Sequence, residues 1–235
     1  LREHSLYDRN VLGIVFHFSL FDEQEHTFEK ASAAGNLRVF QFLLDKERIP
    51  VMKRVPLHKI AIQNDKKSIL EILMKGKRTT RSFGFQLHAC EYDARECLEY
   101  LSAFNAFRGI QLKKLVLACI RSDSARCFEF LMERADPEND TEAFLSAAVQ
   151  EGSSRILSFI FSTFQIRNEV LLRDVLLSAI WWGKKGSVET LLRIGTEVRP
   201  RHLLVAQAYG ETEIVELLRG SKNNAHFEVN CSGAE

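Results

Sequence analysis

The sequence predicts an all-α helical solenoid of about seven helix–turn–helix repeats, with half a repeat in front of them. Three observations carry that expectation. First, a turn-forming residue recurs every 27 to 31 positions, at Gly35, Asn64, Asp93, Asp123, Gly152, Gly183 and Gly210. Gly, Asn and Asp are the residues that tolerate a left-handed or turn backbone. Second, two columns downstream of the turn are apolar in all seven units. Five residues on stand Phe40, Ile69, Leu98, Phe128, Leu157, Val188 and Val215; eight residues on stand Leu43, Ile72, Leu101, Leu131, Ile160, Leu191 and Leu218. Third, the column four residues before the turn is mostly small: Ala31, Ile60, Ala89, Cys119, Ala148, Ala179 and Ala206. With 46% of the chain apolar, chance would fill a seven-membered apolar column about one time in two hundred.

Taken in order, the elements begin with the half repeat. "YDRNVLGIVF" aligns with "GNLRVFQFLL", placing Tyr7 at the turn and Val11, Leu12 and Val15 in apolar columns. The chain starts at Leu1 rather than Met, which points to a segment of a longer polypeptide. Residues 1–26 are therefore expected to be a partial repeat or cap, 27–220 the array, and 221–235 a tail without period. Within each unit the first helix carries an apolar position seven before the turn (Phe28, Leu57, Val116, Leu145, Leu176, Leu203), where Gln86 is the exception. A second amphipathic helix follows the turn. Pro50, Pro56, Pro137 and Pro200 are placed between units, where a helix breaker belongs.

Composition limits the function. The 235 residues carry 32 basic and 31 acidic side chains, so charge gives no argument for a nucleic acid or an anionic membrane. The longest apolar run, Val11 to Phe21, is far short of the ~20 residues a membrane helix needs, and no signal peptide is recognisable. Five cysteines are too few for a secreted disulfide scaffold, which implies a reducing intracellular site, cytoplasmic or nuclear.

In this register the chain resembles a degenerate ankyrin-repeat array. Pro56-Leu57-His58 followed by Ile60-Ala61 stands where that family has T-P-L-H-x-A, with Val55 in place of Thr. "ASAAGNLRVFQFLL" (Ala31 to Leu44) and "AQAYGETEIVELL" (Ala206 to Leu218) are similar to its helix–turn–helix centre. The period is nearer 29 than the family's ~33, so its β-hairpin fingers are expected to be shortened or replaced by loops. Armadillo or tetratricopeptide repeats, with periods of ~34 to 47, fit less well. If His58 follows the family, it is structural and bonds neighbouring loop backbone. Leu87-His88 looks like a second copy one place out of frame, which a one-residue deletion in that unit's turn would restore.

The four cysteines between residues 90 and 127 invite a metal reading. Six and seven residues separate the members of each pair, unlike the C-x2-4-C spacing that lets two sulfurs reach one ion. Cys97 and Cys127 occupy the first apolar position of a second helix. Cys119 lies in the small-residue column, and Cys90 joins it if the deletion is allowed. All four read as core residues. No nucleophile elbow, zincin, Walker or dinucleotide motif occurs; Gly183-Lys184-Lys185-Gly186 lacks P-loop spacing and reads as a turn. His4, His17, His26, His58, His202 and His226 form no cluster, and the basic run Lys75 to Arg81 reads as a solvated loop.

No catalytic, cofactor-binding or metal residue is therefore assigned. The expectation is a non-catalytic protein-interaction module, part of a larger protein, using the concave surface that the resemblance implies. The alternatives are a permanently packed structural subunit or the targeting arm of an effector. No cofactor, nucleic acid, membrane insertion or small-molecule substrate is expected; the partner is another protein. The candidate contact residues lie one or two places before the turns: Tyr92, Arg121, Gln150, Trp181, Trp182 and Tyr209. Aromatics in such positions suit interface anchoring because they bury much area at little entropic cost.

Overall fold

The computed structural model describes residues 21–46, 51–75, 82–104, 109–134, 141–164, 166 and 168–221. Those residues form fourteen helices and no strand. They divide into two compact units at Phe107/Arg108. The first unit holds α1 (Phe21–Ala34), α2 (Leu37–Lys46), α3 (Val51–Gln63), α4 (Lys67–Met74), α5 (Ser82–Glu91) and α6 (Arg95–Ser102). The second holds α7 (Gly109–Arg121), α8 (Ala125–Met132), α9 (Thr141–Glu151), α10 (Ser154–Phe164), α11 (Glu169–Trp181), α12 (Lys185–Arg193), α13 (Pro200–Ala208) and α14 (Thr212–Gly220).

Within each unit the helices pair as hairpins, and hairpins stack on their neighbours. Odd-numbered helices pack beside odd, and even beside even, giving two layers in each unit. The expected helical repeat is thus present, and stacking one hairpin on the next buries what each cannot bury alone. The half repeat around Tyr7, Pro50, Pro137, most of the basic run and all of the tail after Ser221 lie outside the described residues. Helix α1 begins at Phe21, inside the stretch expected to be the cap.

Every hairpin turns the same way. Gly35, Asp65, Asp93, Asp123, Gly152, Gly183 and Gly210 all have φ between 49° and 86°. The amide after each of them bonds to the carbonyl five residues back: Asn36 to Ala31, Lys66 to Ala61, Ala94 to Ala89, Ser124 to Cys119, Ser153 to Ala148, Lys184 to Ala179 and Glu211 to Ala206, all at 2.8–3.0 Å. This is the Schellman closure of a helix C-terminus, which satisfies carbonyls the helix itself leaves open.

The turn geometry corrects the sequence register in one repeat. The left-handed residue is Asp65 (φ 50°), not Asn64; the Asn64 side-chain amide donates to the Ile60 carbonyl instead. Ala61 therefore replaces Ile60 in the small column, which becomes six alanines and Cys119. Leu70 and Leu73 replace Ile69 and Ile72 in the apolar columns, and Leu70 and Leu73 are buried whereas Ile72 is half-buried. His58 then stands three residues before the small position, one more than T-P-L-H-x-A requires. Its ring is buried and stacks on Phe85, centroids 5.1 Å apart.

Three further expectations change. The deletion invoked for Cys90 is not there: Asp93 is left-handed like the other turns, so Ala89 holds the small position and Cys90 the buried place beside it. Pro56 lies inside α3 rather than between units, on an exposed face, while Pro200 is the first residue of α13, where its missing N–H costs nothing. Gln86 belongs to the core after all. It is buried, and its Nε2 donates to the Leu101 carbonyl at 3.2 Å.

The aspartate turns do a second task. Asp65 accepts from the Cys97 amide (Oδ1, 3.0 Å) and the Glu96 amide (Oδ2, 3.4 Å). Asp123 accepts from Ile156 (Oδ1, 3.0 Å) and Arg155 (Oδ2, 3.2 Å). These are the second and third amides of α6 and α10, groups with no partner inside their own helix. Each aspartate thus caps the second helix of the following repeat, where a carboxylate also meets the positive end of the helix dipole.

Where the turn is glycine, a long side chain from the next repeat crosses it. A β-carbon built on Gly35 would stand 2.8 Å from Lys66 Cδ, and one on Gly152 would stand 3.1 Å from Lys184 Cδ. After the capping aspartates the matching residues are small and buried, Ala94 and Ser153; Ser153 Oγ donates to the Ile120 carbonyl.

Candidate functional site

The face that emerges in the second unit follows from helix periodicity. In α7, α9 and α11 the residues four and three before the turn point into the core: Cys119 and Ile120, Ala148 and Val149, Ala179 and Ile180. Each step along a helix rotates the side chain by about 100°, so the next two residues swing outward. Arg121, Ser122, Gln150, Glu151, Trp181 and Trp182 are accordingly all exposed, as are Ala208 and Tyr209 at the end of α13.

The aromatics among them are open to solvent: Trp181 by 58%, Trp182 by 48% and Tyr209 by 50%. Trp181 and Tyr209 come together across the α11–α13 seam, ring centroids 5.1 Å apart and tilted by 48°. Arg121 Nε approaches Glu151 Oε1 at 3.9 Å, with both side chains largely solvated; such a pair contributes roughly 0–1 kcal/mol. Gln150 is exposed beside Glu151. Tyr92 is also half-exposed, but it belongs to the first unit, where its ring lies 4.7 Å from that of His88. His88 Nδ1 is 3.2 Å from Glu91 Oε2. The structure therefore brings Trp181 and Tyr209 into contact, with Trp182 adjacent in sequence.

Three contributors to this face are missing from the sequence reading, two leucines and a glutamate. Leu204 on α13 is 65% exposed, and Leu117 on α7 is exposed as well. Both stand six residues before a turn, one helical turn below the aromatic columns, and a scan of that column would have found them. The other is Glu211, which crosses the α11 turn: a β-carbon on Gly183 would stand 2.6 Å from its Oε1. The Lys184 stem leans the opposite way, over Gly152 of the preceding hairpin.

The four cysteines among the described residues lie elsewhere, in the core. Cys90, Cys97, Cys119 and Cys127 are fully buried thiols. Burial pushes the Cys97 thiol far above its ordinary range, and the neighbouring Asp65 carboxylate pushes it further; its Sγ donates to the Ala61 carbonyl at 3.9 Å. A thiol so held is a poor nucleophile at neutral pH, since the thiolate is the reactive form. Among the described residues no three His, Cys, Asp or Glu side chains gather as a metal site requires, and no helix is long and apolar enough to cross a membrane. No protein-family model matches the chain, and no curated protein matches it.

Proposed function

We propose that the chain is a non-catalytic protein-interaction module of the ankyrin-like helical-repeat type, acting as a recognition segment within a larger intracellular protein. The observation that carries this reading is the open aromatic group on the second unit, Trp181, Trp182 and Tyr209, set at the C-terminal ends of α11 and α13. Monomeric proteins expose single apolar side chains freely, but a contiguous group of large ones marks a contact surface. Trp and Tyr are also the residues whose truncation most often costs binding energy. The ankyrin-like assignment rests on the helix–turn–helix unit and its alanine column, which leaves the displaced Pro56-Leu57-His58 as a minor support. Buried cysteines held as thiols fit a reducing compartment.

The test compares the chain with its Trp182→Ala/Tyr209→Ala double variant. Affinity capture from cell extract, quantified by mass spectrometry, is expected to lose the wild-type partner by tenfold or more, which corresponds to about 1.4 kcal/mol. Far-ultraviolet circular dichroism should stay unchanged. Undiminished capture by the double variant refutes the face.

A further inference from the structure

The α11–α13 seam has a chemical character of its own. Trp181 and Tyr209 meet there at 5.1 Å, and exposed Trp182 follows Trp181 in sequence. Half-buried Leu177 lies one helical turn below Trp181 on α11, and exposed Leu204 stands five residues before Tyr209 on α13. The Glu211 carboxylate lies against Gly183, the residue that follows Trp182. The nearest lysine in sequence, Lys184, directs its stem over Gly152, on the side of α11 away from Tyr209, and Lys185 Nζ is engaged by Glu213 Oε2 at 2.9 Å. The seam thus combines aromatic faces, an apolar floor and a negative charge.

We infer that this seam receives a basic side chain, arginine or lysine, presented by the protein partner; the inference rests on the reading of this face as an interaction surface. Arginine and lysine have an aliphatic stem that packs on apolar surface and a cationic head that stays at the polar edge. Here Leu177 and Leu204 suit the stem. The electron-rich faces of Trp181 and Tyr209 attract the head, and Glu211 supplies the opposite charge at its rim. An acidic partner would meet both the ring quadrupoles and Glu211 with the wrong sign.

The protein carries its own reporter, because Trp181 and Trp182 are its two tryptophans. The full chain is titrated, with intrinsic emission as readout, against acetyl-(Leu-Arg-Gly)3-amide and its lysine counterpart. Peptides with norleucine or glutamate in place of the basic residue serve as controls. The expected result is a saturable emission change with the two basic peptides and none with the glutamate peptide. Glu211→Gln or Tyr209→Ala should weaken the basic peptides about two- to fivefold, as expected for an exposed cation–π contact. Raising the salt concentration should weaken them further.

Binding of the norleucine peptide as tight as that of the arginine peptide overturns the inference, as does an unaffected Glu211→Gln variant or the lack of any saturable change with basic peptides. Those results sink the basic partner and leave the face standing. The capture experiment with the Trp182/Tyr209 variant decides the face itself, whatever the peptides do.

Discussion

Removing the Asp123 side chain tests the capping of one repeat by another. The carboxylate holds the Ile156 and Arg155 amides at 3.0 and 3.2 Å from a residue whose φ is 49°. In Asp123→Ala two effects add. The cap is lost, at a cost of about 1 kcal/mol. Alanine must also hold a left-handed backbone, a penalty of roughly 1–2 kcal/mol of which aspartate already bears a part. The sum is about 2 kcal/mol. In Asp123→Gly the cap is lost as well but the backbone strain is relieved, so about 1 kcal/mol remains.

Urea unfolding followed by circular dichroism should rank the proteins wild type, Asp123→Gly, Asp123→Ala in falling stability. Amide exchange should speed up at Arg155 and Ile156 in both variants. An Asp123→Ala protein within about 0.5 kcal/mol of wild type, the range of an unremarkable surface substitution, refutes the capping argument. A glycine variant less stable than the alanine one refutes the strain argument.

Two further outcomes follow from buried groups. His202 is buried, with its Nδ1 accepting the Arg199 amide at 3.0 Å. Burial lowers its pKa below 6.5; Arg201 and Arg173 act in the same sense, while a hydrogen bond to the Arg173 backbone and Glu197 oppose it. The unfolded chain then binds the proton first, so stability should fall as pH drops from 7.5 through 6.5, and His202→Gln should flatten that fall in pH-dependent urea titrations. In a Cys231→Ser protein, an aromatic disulfide reagent should leave Cys90, Cys97, Cys119 and Cys127 unmodified in the native state and titrate all four in denaturant. Rapid native reaction at Cys97 would contradict its burial and raised pKa.

The helical hairpins were legible because their signal is periodic and local: the positions five and eight after a turn face inward in every repeat, whatever the residue. The one slip of register, at Asn64 and Asp65, falls where two turn-forming residues adjoin and Ile60 sits beside Ala61. A column pattern cannot choose between such neighbours, and the choice is made by a carboxylate reaching Cys97, 32 residues away. Gln86 misled for a related reason. A buried amide is costly alone, and its partner, the Leu101 carbonyl, is not adjacent in sequence. Trp181, Trp182 and Tyr209 were found from the column that holds them, but the contact between Trp181 and Tyr209 joins two columns and two repeats. Glu211 was overlooked because its place against Gly183 arises only when hairpins stack.

The turns also govern how such a chain can grow. Asp65 is followed one repeat later by Ala94 and Asp123 by Ser153, whereas Gly35 is followed by Lys66, Gly152 by Lys184 and Gly183 by Glu211. In sequence Asp93 and Ser124 obey the same pairing. Repeats therefore come with two kinds of joint, one in which a short acid reaches forward and one in which a long chain reaches back. A gene duplication or an engineered insertion that copies a repeat together with its matching joint inherits a compatible neighbour. One that puts an aspartate turn before Lys184 brings a β-carbon to 3.1 Å from the lysine stem, which must swing aside. Breakpoints that conserve the joint thus keep each turn matched to the side chain that crosses it, and the order of the repeats carries structural information of its own.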